Sequence, residues 1–188
     1  AHPWTIPLIS LDVGTNVITV SAGTAGGGTV TSAFDSADNY GGGWADGSNE
    51  GTGFGAWAFN HSSDGSTYYA GSFVGDPAAA SISGLGASAF GFYANPPASA
   101  ANAEVSRSFS SAMAAGDIFR FLLGLNWDSN NEGSNRGFSL MAGTTELVNI
   151  NMANSAAITI NGNPMFDNYG AAAMLLQFEY VANGSIRV

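Results

Sequence analysis

The chain has 188 residues, of which 45% are hydrophobic and 12% aromatic, so it can bury a sizeable core. Charged residues make up only 10%, against roughly 25% in an average soluble domain. Four arginines and no lysine stand against fourteen acidic residues, and the net charge of −10 argues against nucleic-acid and anionic-membrane partners. Cysteine is absent, which excludes disulfides, and no apolar run reaches the ~20 residues that span a bilayer.

The first part of the chain is an apolar extended segment. Residues Trp4–Val13 are mostly apolar, and a Gly-Thr-Asn turn leads from them into a second short strand, Val17–Ser21. The glycine-rich run Gly23–Gly28 predicts a flexible linker to the remainder. We therefore divide the chain into residues 1–23, an extended N-terminal strand segment, and residues 24–188, a β-sandwich domain.

Alternation of apolar and polar residues continues through the remainder and predicts strands. The clearest cases are Asp117–Trp127 and Ala173–Val181, and Asn-Gly or Asp-Gly turns separate several of the others. Those others are Thr29–Phe34, Phe54–Phe59, Tyr68–Val74, Phe90–Ala94, Val105–Phe109, Phe138–Leu140, Leu147–Asn151 and Ala157–Asn161. The alanine-rich stretches Ala78–Ala89 and Ala98–Ala103 have room for a short helical turn. About a dozen short strands predict an all-β fold, an antiparallel β-sandwich or jelly roll.

Several stretches resemble bacterial surface modules. The run Leu11–Val20 resembles the closing strands of bacterial immunoglobulin-like domains. Residues 42–57, Phe90–Pro96 and Asn126–Ser129 resemble parts of concanavalin-like or laminin-G-like sandwich modules in large secreted bacterial proteins. This resemblance extends over residues 34–188 and implies a jelly-roll fold and an extracellular or cell-surface location. In such modules a strand or two follows the position of Ser185–Val188, so we expect an open groove there.

The sequence argues against an enzyme. Glycosidases of sandwich fold commonly pair two carboxylates on one strand, and no Glu-x-Asp-x-x-Glu run occurs here. A Ser/His/Asp triad would depend on His2 or His61, and the chain contains no Gly-x-Ser-x-Gly nucleophile elbow. We therefore expect no catalytic residues.

Oxygen-rich loops are candidate calcium sites. Asp46, Asn49 and Glu50 lie in one such loop, and a second loop carries Asp128, Asn130 and Glu132. Calcium takes six to eight oxygen ligands, which such loops supply together with carbonyls and water. The same residue types also build ordinary turns, so both interpretations stay open.

Exposed aromatic rings would be needed to bind a sugar. Trp44 stands in the glycine-rich loop Gly41–Trp44, and Tyr68 and Tyr69 precede a predicted strand. These three residues form a candidate glycan-binding set. An aromatic ring beside glycines also commonly folds back over the edge of a core.

The N-terminal segment supports a hypothesis of assembly. Its apolar side chains are costly to leave exposed, and its two prolines favour an edge position in a sheet. Strand addition to a neighbouring subunit would bury these side chains and form an open filament. The predicted anchors are Trp4, Ile6, Leu8, Leu11 and Val13. We expect a structural subunit of an extracellular filament or surface assembly; the alternative is a carbohydrate-binding or adhesin module stabilised by calcium.

Overall fold

The computed structural model describes residues 18–21, 32–63, 70–94, 101–125, 137–151, 158–166 and 171–188. These residues form thirteen strands, β1 (Ile18–Ser21), β2 (Ser32–Asp35), β3 (Ala58–Ser63), β4 (Ala70–Gly75), β5 (Ala89–Ala94), β6 (Ala101–Ser106), β7 (Ile118–Leu123), β8 (Gly137–Ala142), β9 (Thr145–Asn151), β10 (Ile158–Ile160), β11 (Asn163–Phe166), β12 (Met174–Ala182) and β13 (Ser185–Arg187). Two short 3-10 helices, Ala37–Tyr40 and Ala78–Ala80, are the helical elements of the described part. The all-β prediction is confirmed.

A five-stranded antiparallel sheet has the order β13-β12-β7-β1-β2. Strands β7 and β12 pair over six positions, from Leu123 opposite Met174 to Ile118 opposite Glu179. Alternate residues of both strands point inward, which buries Phe119 and Phe178 almost completely. The two clearest alternating stretches of the sequence therefore form neighbouring central strands.

Strand β1 belongs to the N-terminal segment and yet lies inside this sheet. It pairs antiparallel with β2 on one side and with β7 on the other, so that Thr19 is opposite both Phe34 and Arg120. The second short strand predicted in the segment is thus paired within this chain. Residues 1–17 and 22–31, which include Trp4–Val13 and the glycine-rich linker, lie outside the described residues.

A four-stranded antiparallel sheet, β11-β10-β9-β8, packs against the first. Its buried residues Leu140, Val148 and Ile150 form one core cluster with Phe119, Leu176, Phe178 and others from the facing sheet. Burying a large apolar side chain contributes about 1.5–3 kcal/mol, so this cluster holds the two sheets together. The antiparallel sheets are compatible with a β-sandwich.

Two smaller ribbons, β3 with β6 and β4 with β5, enclose a second apolar cluster. Its buried members are Tyr40, Trp44 and Trp57, and Phe59, Val74, Phe90 and Val105 pack against them. The ring of Trp44 meets those of Trp57 and Phe59 edge-on, at centroid distances of 5.1 and 4.8 Å. This edge-to-face geometry is the favoured one for aromatic pairs.

Strand bounds differ from the sequence prediction at several positions, and two of these differences change the type of element. The alanine-rich stretch before Val105 is the start of β6 rather than a helical turn, because Ala101 and Ala103 alternate with exposed Asn102 and Glu104 and pair with β3. The predicted strand Phe54–Phe59 begins instead at Ala58, and Phe54 forms an isolated bridge to Phe109. Tertiary pairing overrides the helix preference of alanine here.

Candidate functional site

A buried ion pair joins β2 to the residue that follows β6. The Arg107 guanidinium donates through Nη1 to Oδ2 of Asp35, whose side chain is fully buried, and through Nη2 to the Gly55 carbonyl at 2.9 Å. Its Cζ atom lies 4.4 Å from the ring centroid of Phe54 and 4.5 Å from that of Trp57. The cation is therefore stabilised by hydrogen bonds and by two aromatic faces.

The hydroxyl of Tyr40 completes this cluster. It donates to Asp35 Oδ2 at 2.7 Å and accepts from Trp57 Nε1 at 3.0 Å and from the Glu50 amide at 3.2 Å. Burial, together with the hydrogen bond to Asp35, raises the pKa of Tyr40 above its ordinary value. Oδ1 of Asp35 accepts from the Ser36 amide at 2.9 Å, so both carboxylate oxygens have protein partners. The arrangement links β2, the loop before β3 and β6, and provides no free base.

The edges of the five-stranded and four-stranded sheets are a second candidate site, because unpaired backbone groups at a sheet edge can pair with another strand. Three edges are blocked: β2 exchanges two 2.9 Å backbone hydrogen bonds with Thr52, β13 has three residues and carries Arg187, and β11 contains Pro164. The fourth edge strand, β8, has six residues without charge or proline, Gly-Phe-Ser-Leu-Met-Ala. Among the described strands it pairs with β9 alone.

The register shows which β8 groups face outward. Asn149 of β9 directs both its carbonyl and its amide to Asn161, on the β10 side. Ser139 lies opposite Asn149, so the two form a non-hydrogen-bonded pair, and the backbone N–H and C=O of Ser139 point away from β9. Behind this edge, the half-buried ring of Phe138 contacts Phe121 at a centroid distance of 4.7 Å. A strand added here would find hydrogen-bonding groups and an apolar surface.

A cleft of about 820 Å³ opens between β3 and β4. Its walls include Asp46, His61, Ser62, Ser72 and Tyr93, and Trp44 contributes to its lining. The Nε1 atom of Trp44 is buried and has no hydrogen-bond partner among the described residues. Such an orphan donor is uncommon in folded proteins.

Of the two interpretations of position 44, the structure has the ring folded back over the core. Trp44 is 7% exposed and packs inside the second cluster. The other two members of the candidate glycan set, Tyr68 and Tyr69, lie outside the described residues. The serine and alanine residues that line the cleft escaped the sequence reasoning, because serine and alanine at strand positions carry no motif.

The loop with Asp46, Asn49 and Glu50 is held by hydrogen bonds to neighbouring parts of the protein. Asp46 Oδ1 accepts from the Phe59 amide at 2.9 Å, and Asn49 Oδ1 accepts from the Arg107 guanidinium. A guanidinium beside Asn49 disfavours a second cation there, and within the described ranges no three His, Cys, Asp or Glu residues cluster as metal ligands. The second calcium candidate, Asp128, Asn130 and Glu132, lies outside those ranges, as do the five predicted assembly anchors Trp4, Ile6, Leu8, Leu11 and Val13.

Comparisons with protein-family models, with curated proteins and with solved structures find no match for this chain. Within the described residues, no helix is long and apolar enough to cross a membrane.

Proposed function

We propose that this chain is a structural subunit of an extracellular filament or surface assembly, joined by β-strand addition. The N-terminal segment of one copy adds to the β8 edge of the next copy. The observation that carries the proposal is this edge: it is six residues long, uncharged and free of proline, while the other edges of the two larger sheets are short, capped or interrupted. Proteins that remain monomeric usually protect such an edge.

The position of β1 makes the segment available as a donor. Because β1 pairs with both β2 and β7, it anchors the base of the segment in its own subunit. The ten residues Trp4–Val13 precede that anchor and would extend over about 33 Å at ~3.3 Å per residue. The six residues of β8 need only about 20 Å on the same scale, so the segment is long enough to cover the whole edge.

The two prolines make the donor one-sided. In an extended strand, alternate residues direct their backbone groups to opposite edges. Pro3 and Pro7 are at odd-numbered positions, and Trp4, Ile6 and Leu8 are at even-numbered positions. The even-numbered residues therefore retain their backbone N–H groups for pairing with β8. The prolines lie on the opposite edge of the donor strand, where they prevent the addition of a further strand. The large apolar side chains of the even-numbered residues would pack near the ring of Phe138, which is half-buried at this edge.

Such a contact is heterologous, with the donor and the acceptor on different surfaces of the subunit. Repetition of a heterologous contact produces an open filament unless the rotation closes a ring. The low charge, the absence of lysine and the resemblance to secreted bacterial surface modules support an extracellular location.

The test removes one backbone donor from the β8 edge. Replacing Ser139 with proline eliminates an N–H that points away from β9, so the β8–β9 pairing is retained while strand addition loses a hydrogen bond and meets the proline ring. The matched control is Ser139→Ala, which removes the same hydroxyl contact to Glu146 and keeps the N–H. A chain lacking residues 1–13 tests the donor side and retains β1.

Assembly is followed by negative-stain microscopy and sedimentation velocity, and folding by circular dichroism. We expect fibres or ladders from the full chain and from Ser139→Ala, and folded monomers from Ser139→Pro and from the chain lacking residues 1–13. A full chain that stays monomeric at high concentration contradicts the proposal. Fibres from Ser139→Pro, together with monomers from the shortened chain, would move the acceptor to another edge.

A further inference from the structure

We infer that the cleft between β3 and β4 binds a neutral oligosaccharide. Its volume of about 820 Å³ falls in the range of roughly 300–1,000 Å³ typical of ligand sites. The cleft exists because small side chains, such as those of Ser63, Ala70 and Ser72, line it. Further along the same ribbons, the larger side chains of Val74 and Phe90 pack against the second apolar cluster. Small residues at these strand positions therefore leave room for the cleft.

An aromatic surface is available for the apolar face of a sugar ring. Tyr93 lines the cleft and is 42% exposed. Its ring lies against Gly71 on the paired strand β4, where an added Cβ would come within 2.9 Å of the Tyr93 hydroxyl. Glycine at this position holds the ring close to the backbone and leaves part of it to solvent. Amphipathic rings placed in this way suit ligands that are part apolar and part hydroxylated.

The polar groups of the cleft match the hydroxyls of a sugar. The imidazole of His61 lines the cleft together with the carboxylate of Asp46. Asp46 uses Oδ1 for the Phe59 amide, and its second oxygen has no partner within the described part of the chain. Ser62 and Ser72 add hydroxyls from opposite strands. Donors and acceptors thus occur on both walls.

Charge selects the class of sugar. Among the described residues no arginine lines the cleft, and the chain contains no lysine. The carboxylate of Asp46 stands at the cleft, and the whole molecule carries a charge of −10. Sulfated, phosphorylated and uronate oligomers would meet repulsion without a compensating lysine or arginine. A neutral oligosaccharide is the ligand that the walls accommodate.

The first experiment places the full chain on an array of neutral oligomers (cellohexaose, mannohexaose and chitohexaose) and acidic oligomers (oligogalacturonate and heparan sulfate). Calorimetric titration then measures affinity for the best neutral oligomer. Ser72→Leu and Ser62→Leu fill the cleft from opposite walls, and each should weaken binding by about tenfold or more. Ser111→Leu makes the same chemical change at an exposed position that does not line the cleft, and it should leave the affinity unchanged.

Two filling variants are used because Ser62 is exposed and tolerates a larger side chain even if Ser72→Leu fails to fold. Binding of acidic oligomers alone, binding of none of the oligomers, or full affinity in the folded filling variants overturns the inference. The Ser139→Pro variant should bind the neutral oligomer as the full chain does. Failure of strand exchange and failure of sugar binding are thereby read out separately.

Discussion

The buried pair of Asp35 and Arg107 illustrates how few charges this chain uses and how tightly it holds them. Taking two ions out of water costs several kcal/mol each, and the attraction between them offsets this only when hydrogen bonds complete the geometry. Here Gly55, Tyr40 and the Ser36 amide supply those bonds, and two aromatic faces cover the guanidinium. The pair therefore fixes the relative position of β2 and the residue that follows β6.

Tyr40 gives this cluster a dependence on pH. Burial, and then its hydrogen bond to Asp35, raise the pKa of Tyr40 above the ordinary tyrosine value of 10.0. The folded state keeps the proton at a pH where the unfolded chain has released it. The stabilisation from this group is complete below pH 10.0 and is lost as the pH rises through the folded-state pKa.

We expect Tyr40→Phe to remove this part of the alkaline loss in the free energy of unfolding. At neutral pH the variant should be less stable by roughly 1–3 kcal/mol, because Trp57 Nε1 and the Glu50 amide lose their acceptor. Urea unfolding between neutral pH and pH 10.0 and above measures both effects. An alkaline slope identical to that of the unmodified chain would contradict the role assigned to Tyr40.

At the scale of elements, close backbone approach decides where the loop before β3 runs. Gly53 has a φ of +75°, and an added Cβ would lie 2.4 Å from the Cβ and 2.6 Å from the Cα of Ala33 in β2. Two constraints therefore coincide at this residue: a left-handed backbone and the absence of space. The same loop delivers Thr52 to the edge of β2 and Phe54 to the main core.

Gly53→Ala should destabilise the fold by about 2 kcal/mol or more, since backbone strain and steric overlap add. Gly42→Ala is the matched control, because Gly42 has no atom within 4 Å of an added Cβ and no positive φ. That control should change stability by no more than about 0.5 kcal/mol. Thermal and urea unfolding of the two variants compare the effects, and equal values would refute the packing argument.

At the scale of the whole molecule, charge opposes assembly. Each copy carries fourteen acidic residues and four arginines, so neighbouring copies repel each other at neutral pH. The proposed contact, made of backbone hydrogen bonds and apolar side chains, contains no charge pair to overcome this repulsion. Salt screens it within about 8 Å at physiological ionic strength, against about 30 Å at 0.01 M.

Assembly should therefore be faster and reach a lower critical concentration in physiological salt than in 0.01 M salt, where the screening length is about 30 Å. Light scattering during dilution from denaturant, at matched protein concentration, measures the rate. The chain lacking residues 1–13 should scatter weakly at both salt concentrations. Assembly that slows as salt is added would point to attraction between charges and against the proposed contact.

The sequence by itself determined the class of fold. Alternation in Asp117–Trp127 and Ala173–Val181 predicted β7 and β12 because one side chain in two must face the core of a sheet. It also identified the apolar N-terminal segment and the odd-numbered positions of its two prolines, since composition and residue spacing can be read without coordinates. It misassigned the start of β6, where alanine is compatible with helix and strand alike.

Only the tertiary structure decided which strands lie at the sheet edges and which residues line the cleft. That β8 pairs with β9 alone among the described strands depends on which strands lie beside it, and no local pattern encodes a neighbour that is distant in the chain. Trp44 is buried because the ribbons meet above it, although its glycine-rich surroundings suggested exposure. Arg107 finds Asp35 across 72 positions of sequence. Such contacts arise from packing, and packing is decided by the whole chain at once.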